Sequence, residues 1–412
     1  MMSTFIDRIG GALLFPFFAL YITDHFKVGM TEVGFLFGLF AAGNIIGSII
    51  GGSLTDKYGR KFMLLFGLIV SGSFSLVMGL VNNLNVFYVL AAIMGLIGDS
   101  GGPAQQAMVV DLLPENKRAE GFGVLRVIAN LAVAIGPAIG SILATRSYLL
   151  LFIADTVSSL ITAVIVFIAI PETKPEKSEE KHKETIWQTI KGYKSIIKDG
   201  IFMAFIAITA MVSLVYMQMN SSLSVFLRDV HDFPVYKFGW LLSTNAAMVV
   251  LFQFWITRKI KKFSPMIMVA IGTLLYGIGF GMYGFISSDI WFFIAMIIIT
   301  IGEMIISPFA QSIVSNFAPE DKRGRYMAAF SFTWAIPALF GVLVAGALMD
   351  NYDPNLVWYI GGLLCIISVI FYILLNSPFK KRIKASKEEE KIRKDISKQP
   401  KIDNKSETLF HL

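Results

Sequence analysis

Long apolar runs follow one another along almost the whole of this chain, and they leave few folds open to it. A helix of about 20 apolar residues crosses the ~30 Å hydrocarbon core of a bilayer. Lipid offers the backbone no hydrogen-bond partners, so such runs fold as helices that satisfy their own amides. Only 16% of the 412 residues are charged, whereas about a quarter are charged in a typical soluble domain. We therefore predict an all-α polytopic membrane protein.

Twelve runs are predicted as spans, numbered 1 to 12 in chain order. They cover residues 5–23, 31–55, 62–82, 86–111, 121–144, 148–170, 200–227, 237–257, 264–286, 290–317, 325–349 and 355–376. The first run is expected to be a span rather than a signal peptide, because no basic segment precedes it and no small-residue cleavage site follows it. The spans predict four units: an N-terminal six-helix bundle (1–170), a linker (171–199), a C-terminal six-helix bundle (200–376) and a charged tail (377–412).

The linker and the tail are both predicted to be cytoplasmic. In the linker, isoleucines and a tyrosine recur at helical spacing, which predicts an amphipathic helix at the membrane surface. They are Ile186, Ile190, Tyr193, Ile196 and Ile197. The tail is rich in Lys and Glu, so we expect it to be solvated and disordered.

The positions of the basic residues predict the orientation of the chain. Of the 36 Lys and Arg residues, 30 lie in the tail or in and beside the connections that follow even-numbered spans, and 4 lie in or beside the other connections. Basic residues are retained on the cytoplasmic side of a membrane. We therefore expect a plasma-membrane protein with both termini in the cytoplasm.

Several classes of protein are disfavoured by what the sequence lacks. No Gly-x4-Gly-Lys-Ser/Thr loop is present, which argues against a nucleotide-driven pump. The four histidines lie outside the spans and the single cysteine, Cys365, lies within one, so no disulfide, metal or cofactor is expected. No nucleophile–base constellation is visible, so we expect no enzyme. Basic residues are spread over short loops without interleaved aromatics, which argues against nucleic-acid binding.

An offset of 205 residues, without gaps, relates the two halves of the chain. The matching pairs are Pro103 with Pro308, Gln106 with Gln311, Pro114 with Pro319, Glu115 with Glu320, Lys117 with Lys322 and Arg118 with Arg323. The offset carries span 4 onto span 10, which predicts two parallel, pseudo-symmetric six-helix bundles. Such repeats, with a site at their interface, are typical of transporters that alternate access. The expected partners are a small-molecule substrate, protons and the lipid bilayer, and the chain is expected to be a monomer.

A charged segment, "GSLTDKYGRK", separates spans 2 and 3. Asp56 and Arg60 are four residues apart with the acid first, which predicts a helical ion pair. The segment resembles the signature Gly-x-Leu-x-Asp-Arg-x-Gly-Arg-Arg/Lys of the major facilitator superfamily. The matches are Gly52, Leu54, Asp56, Gly59, Arg60 and Lys61, and Lys57 replaces the usual Arg. The resemblance implies the twelve-helix major facilitator fold and a cytoplasmic latch in which the acid docks against the opposite bundle.

Span 5 contains a second element, "LAVAIGPAIGSILA". Gly136, Pro137 and Gly140 resemble the Gly-Pro-x-x-Gly core that is typical of antiporters in this superfamily, and so point to its drug:proton antiporter branch. Pro137 removes a backbone hydrogen bond and the glycines permit a bend and close packing, so span 5 is a candidate seal against leak. An ordinary kinked helix is the alternative.

Ionisable side chains inside the spans are candidates for proton coupling, because each is costly in a membrane. Glu303 lies in "TIGEMIISPFAQ", which resembles span 10 of some proton-driven multidrug exporters; a hydrogen-bonded structural Glu is the alternative. Asp99 in span 4 and Arg126 in span 5 either form a structural pair or constitute an acid whose proton affinity the arginine changes. Asp155 in span 6 is expected to be a hydrogen-bonded packing residue.

The candidates for a central cavity are Arg8, Gln218, Asn220, Asn245 and Trp334. Arg8 follows Asp7 near the cytoplasmic end of span 1 and is also a candidate for the gate. A mostly apolar interior with a few buried acids predicts a proton-coupled exporter of lipophilic or amphiphilic small molecules that works by alternating access. A proton-coupled importer of sugars, peptides or organic acids remains the alternative.

Overall fold

The computed structural model describes residues 2–98, 101–173, 196–318 and 323–398. In these ranges the chain folds into helices and contains no strand. Eleven helical segments of this part are long and apolar enough to cross a membrane. The prediction of an all-α polytopic membrane protein is confirmed.

Helices are named after the predicted spans, and a span that is described in two parts has parts a and b. The N-terminal half contains α1a (Met2–Leu14), α1b (Phe18–Phe26), α2 (Met30–Tyr58), α3 (Arg60–Leu80), α4a (Leu84–Gly98), α4b (Gly101–Leu112), α5 (Glu115–Arg146) and α6 (Leu149–Ala169). The C-terminal half contains α7a (Gly200–Met217), α7b (Ser222–His231), α8 (Val235–Ile260), α9 (Pro265–Met282), α10 (Asp289–Phe317), α11 (Arg323–Asn351) and α12 (Leu356–Lys398). Single 3₁₀ turns, Phe15–Phe17 and Gln218–Asn220, join the parts of α1 and of α7.

Span 4 is described as α4a and α4b on either side of residues 99–100, which lie outside the described residues, and α4a is the apolar part. The structure differs from the prediction in the tail. Helix α12 continues to Lys398, so the expectation of disorder from residue 377 is wrong as far as that residue. The physical reason is composition, because Lys, Glu and Arg are strong helix formers. The amphipathic linker helix falls largely on 174–195, outside the described residues.

Two helix pairs hold the bundles together. Helix α2 packs along α11, and α5 packs along α8. At the α2–α11 contact the backbones approach closely, since a Cβ on Gly34 would lie 2.3 Å from the Cα of Leu343. The repeat relates α2 to α8 and α5 to α11, so these two contacts are equivalent under the internal symmetry. The core continues across the junction, where the buried rings of Phe17 and Phe238 meet edge to face at 6.1 Å.

The two ends of the assembly are distinguished by charge. We call the end that carries the 2–3, 4–5 and 6–7 connections the basic-rich end, and the opposite end the basic-poor end. The names follow from the distribution of Lys and Arg in the sequence. Charged contacts lie at both ends, and a cavity lies at the junction of the two bundles.

Candidate functional site

A cavity of about 280 Å³ lies between the two bundles. Its lining comprises Ala12, Phe15, Pro16, Asn130, Val133, Pro137, Tyr216, Met219, Asn220, Leu242, Asn245, Ala246, Val249 and Glu303. Helices α1 and α5 supply one wall, and α7, α8 and α10 supply the other. Most of these side chains are apolar, so a molecule that fills the cavity contacts a hydrophobic surface with a few polar groups.

Both helix breaks lie beside this cavity. Pro16 interrupts α1, because proline lacks an amide hydrogen and its ring clashes with the preceding turn. In α7 the break is made by polar side chains that bond the backbone: Gln218 donates to the Leu214 carbonyl at 3.0 Å and Ser221 to the Met217 carbonyl at 3.0 Å. Interrupted helices at corresponding places in two repeats are a known mark of the binding site in membrane transporters.

Glu303 on α10 is the one charged group among the described residues that line the cavity. The side-chain amide of Asn245, on α8, donates to Glu303 Oε2 at 2.9 Å and to Thr300 Oγ1 at 3.0 Å. The Thr300 hydroxyl donates in turn to the Met296 carbonyl at 2.7 Å, so it is free to accept from Asn245. The hydroxyl of Tyr216, on α7, lies within hydrogen-bonding reach of the same carboxyl group.

These partners suit both protonation states of the carboxyl group. A carboxylic acid keeps acceptor capacity, so Asn245 has an acceptor in either state. The Tyr216 hydroxyl donates to a carboxylate and accepts from an acid. Its ring is held by stacking on Tyr276 at 5.5 Å and by an edge contact with Trp334 at 5.7 Å. Either protonation state of the carboxyl group therefore fits this site without leaving one of these polar groups unpaired.

The other predicted cavity residues lie in different places. Asn220 and Asn245 line the cavity, whereas Trp334 supports Tyr216 from outside the lining. Gln218 is buried and also donates to the Gly341 carbonyl at 3.2 Å, which ties α7 to α11. Arg8 lines a separate cavity within the N-terminal bundle.

The glycine–proline element of span 5 lies where α5 packs against α1. A Cβ on Gly136 would lie 2.5 Å from the Cβ of Ala12, and one on Gly140 would lie 2.5 Å from the Leu13 carbonyl oxygen. Pro137 lies within α5 and lines the cavity. Close packing at the edge of the cavity is consistent with the predicted seal, which stays a prediction.

The structure describes only one residue of the pair predicted between spans 4 and 5. Arg126 is exposed on α5, and Asp99 lies outside the described residues. Their interaction therefore stays a prediction.

At the basic-rich end, the turn between α2 and α3 is made by Gly59, whose φ of 107° lies in the region that favours glycine. Helix α2 ends at Tyr58 and α3 begins at Arg60, so Asp56 and Arg60 do not lie on one helix as predicted. Arg60 pairs with Asp111 at the end of α4b, with Nε and Oδ2 2.9 Å apart. The side chain of Asp56 is outside what the structure describes, so an interaction between Asp56 and Arg60 stays a prediction.

The start of the linker fastens this turn. Glu172 accepts from the backbone amides of Arg60 at 2.8 Å and Lys61 at 3.2 Å, which places a carboxylate at the N-terminus of α3. Lys61 Nζ donates to the Phe167 carbonyl at 2.7 Å. Gly52 and Leu54 lie in the last turns of α2. The described contacts of Arg60, Lys61 and Glu172 lie within the N-terminal bundle and the start of the linker.

At the basic-poor end, charged groups join the two bundles. Arg228 on α7b pairs with Asp24 on α1b at 2.8 Å, and the Tyr148 hydroxyl donates to the same carboxylate at 3.0 Å. Partial burial acts to lower the pKa of Arg228, but the carboxylates of Asp229 and Asp24 outweigh it and raise this pKa. Arg228 therefore stays charged at neutral pH.

A second contact at this end caps a helix of one bundle with an acid of the other. Asp350, on α11, accepts from the backbone amides of Met30 at 2.9 Å and Thr31 at 2.6 Å, and from the Thr31 hydroxyl at 2.6 Å. Close packing extends this contact, because a Cβ on Gly346 would lie 2.1 Å from the Met30 carbonyl oxygen. The basic-poor end is thus closed in this structure.

Comparison with known proteins identifies relatives of this chain. A family model described as Major Facilitator Superfamily matches residues 1–342 and 239–406. The Na(+), Li(+), K(+)/H(+) antiporter of Planococcus maritimus is 28% identical over 351 residues, which cover 79% of this chain and 82% of the relative. Quinolone resistance protein NorA of Staphylococcus aureus is 23% identical over 359 residues, with coverages of 84% and 88%.

Solved structures share the same arrangement of helices. The nucleoside transporter NupG superposes with a TM-score of 0.78 at 11% identity, covering 91% of this chain and 98% of that one. A peptide transporter, POT, superposes with a TM-score of 0.75 at 15% identity, with coverages of 92% and 94%. At these identities the likeness shows the fold alone.

Proposed function

On the premise that this chain belongs to the major facilitator superfamily, we propose that it is a proton-coupled antiporter that exports lipophilic or amphiphilic cations by alternating access. The observation that carries the proposal is the single carboxyl group of Glu303 in an otherwise uncharged, largely apolar cavity between the bundles. A carboxylate in such a place is stabilised by a proton or by a bound cation. Binding of one therefore displaces the other, and that competition is the coupling.

The arrangement of the gates supports a direction. By the distribution of Lys and Arg, the basic-rich end faces the cytoplasm. The closed basic-poor end then faces outside, so the described state does not exchange substrate with the outside. Breaking the Asp24–Arg228 and Asp350–α2 contacts would open the outer end. Glu303, in the central cavity, would then take up a proton from outside, and the substrate would leave to that side.

A second candidate is exchange of monovalent metal cations for protons. The observation that favours it is the relative from Planococcus maritimus, which is named as a Na(+), Li(+), K(+)/H(+) antiporter. The quinolone resistance relative favours the first candidate. The two candidate functions share a proton-coupled cycle and differ in the species that is exchanged for protons.

The test uses everted membrane vesicles with an imposed pH gradient and a pH-sensitive dye. Tetraphenylphosphonium, a neutral lipophile of similar size, NaCl and KCl are added in separate runs. We expect tetraphenylphosphonium to dissipate the gradient, and Glu303→Gln to abolish this response while binding remains measurable. Glu32→Gln, which removes a carboxyl group from the first turn of α2, is the matched control and should respond normally.

The outcomes separate the candidates. A response to NaCl or KCl alone would support the second candidate in place of the first. Uptake of sugars, peptides or organic acids with protons by right-side-out vesicles would instead support the importer. A full tetraphenylphosphonium response in Glu303→Gln would remove Glu303 from the mechanism.

A further inference from the structure

A second cavity, of about 320 Å³, lies entirely within the N-terminal bundle. It is formed by the basic-rich ends of α1, α3, α4b, α5 and α6, and it shares no lining residue with the central cavity. Asp7 and Arg8 line it. Its position gives Asp7 a path to the basic-rich side that does not pass through the junction of the bundles.

Asp7 has an acidic neighbour on α6. The carboxyl groups of Asp7 and Asp155 are close enough to repel each other. Asp155 packs directly on the α1 backbone, because a Cβ on Gly10 would lie 2.8 Å from Asp155 Oδ1 and 2.0 Å from Ser158 Oγ. Two like charges inside a membrane bundle are costly unless a positive species joins them. A packing role for Asp155, as expected from the sequence, does not explain why a second acid lies beside it.

Hydroxyl groups surround the pair, and one of them is incompletely bonded. Ser75, on α3, is 3% exposed and approaches the Asp155 carboxyl group, but its Oγ completes no hydrogen bond of standard geometry. Ser159 lies within hydrogen-bonding reach of Asp7. Ser158 Oγ donates to the Asp155 carbonyl at 2.8 Å and keeps its lone pairs. Buried hydroxyls are nearly always fully bonded, so the Ser75 oxygen has bonding capacity that a ligand can use.

We propose that Asp7, Asp155 and Ser75 form a binding site for one alkali-metal cation of the size of Na⁺. The donors are all oxygens, which hard cations prefer. Two carboxylates offset by the adjacent guanidinium of Arg8 leave one net negative charge, which matches a monovalent ion. Within the described residues, no group of three His, Cys, Asp or Glu side chains lies together to hold a polyvalent metal. The inference does not depend on the role proposed for Glu303.

The experiment measures binding directly, on the purified full chain in detergent. The melting temperature is followed during titration with NaCl at pH 8, with choline chloride holding the ionic strength constant. A ligand that binds the folded state raises the melting temperature in a saturable way. We expect such a rise with NaCl, a roughly tenfold or greater increase of the apparent Kd in Asp155→Asn, and an unchanged Kd in Glu303→Gln.

Two glycines on α1 provide a steric test with its own control. The Cβ of Gly10→Ala would enter the space held by Asp155 and Ser158, whereas the Cβ of Gly11→Ala meets nothing within 4 Å. We expect Gly10→Ala to lose the sodium response and Gly11→Ala to keep it. Both variants are compared by size-exclusion chromatography in choline chloride, so that a misfolded variant is recognised.

A measurement on the wild type needs no variant. Sodium and protons compete for the same carboxylates, so the apparent Kd for Na⁺ should rise as pH falls from 8 to 5. The charged groups involved are Asp7, Asp155 and Arg8. A wild-type response to NaCl no larger than that to choline chloride would overturn the proposal. So would a pH-independent Kd, or a response that Glu303→Gln removes and Asp155→Asn retains.

Discussion

Asp350→Asn is predicted to weaken closure of the basic-poor end. The carboxylate accepts three hydrogen bonds from Met30 and Thr31, at the N-terminus of a helix in the other bundle. Asparagine loses the charge and at least one of these bonds. A carboxylate at a helix N-terminus contributes about 0.3–1 kcal/mol and a charge-assisted hydrogen bond about 1.5–3 kcal/mol. The closed state should therefore lose roughly 2 kcal/mol, a factor of about 30 in the equilibrium with the open state.

The assay measures the distance between spin labels at the basic-poor end. Cysteines replace Asn82, between α3 and α4a, and Ser287, between α9 and α10, and both sites are exposed. The native Cys365 is buried and is replaced by alanine. We expect Asp350→Asn to increase the population with long distances by pulsed electron paramagnetic resonance.

The control acid is Asp353, three residues further on. It accepts from the backbone amide and side chain of Asn355 in its own bundle, so its contacts do not depend on closure. Asp353→Asn should leave the distances unchanged. Gly346→Ala, which places a Cβ 2.1 Å from the Met30 carbonyl oxygen, should shift them as Asp350→Asn does. An unaltered distance distribution in Asp350→Asn would refute the reasoning.

Two further changes concern stability. Gly59→Ala imposes a φ of 107° on a residue with a Cβ and places that Cβ 2.6 Å from Glu172 Oε2. We therefore expect the free energy of unfolding to fall by about 1–3 kcal/mol, seen as a lower melting temperature. An unchanged melting temperature would contradict this account of the turn. Asp199 is hydrogen-bonded by Arg382 and Tyr326, which outweigh the opposite effect of burial and hold its pKa below the ordinary value. Its stabilisation is present above the ordinary pKa of about 3.9 and is lost as pH falls through the lower folded value. Asp199→Asn should therefore cost about 1 kcal/mol at pH 7. The melting curves of the variant and the wild type should approach each other as pH falls below about 4; a difference that does not narrow with falling pH would oppose this sign.

Hydropathy and internal repetition predict most of the fold because both act locally or at a fixed offset. The apolar runs predicted the helices, and the 205-residue offset predicted two parallel halves, to which the equivalent α2–α11 and α5–α8 contacts conform. The continuation of α12 was missed, since hydropathy does not register a polar helix that continues beyond the membrane. Glu303 was found because an acid within an apolar run is conspicuous.

The partners of the charged groups could not be predicted from the sequence. Asp350 lies 320 residues from Met30, and no local pattern relates an acid at the end of α11 to the start of α2. Arg60 begins α3 after the turn at Gly59 and pairs with Asp111 on α4b, a partner that no local pattern indicates. The Asp7–Asp155 pair was missed for the same reason, because the two acids belong to helices that meet only in the folded bundle.

The exchange of a proton for a cation at Glu303 is tested most directly by proton release from the purified protein. Tetraphenylphosphonium is added to the detergent-solubilised wild type in weakly buffered solution, and a pH dye reports the protons set free at a pH where the carboxyl group is protonated. We expect release that saturates with binding in the wild type and is absent in Glu303→Gln, whose binding through the apolar walls is weaker but still measurable. Equal release from both proteins, or binding by the wild type without release, would contradict the account.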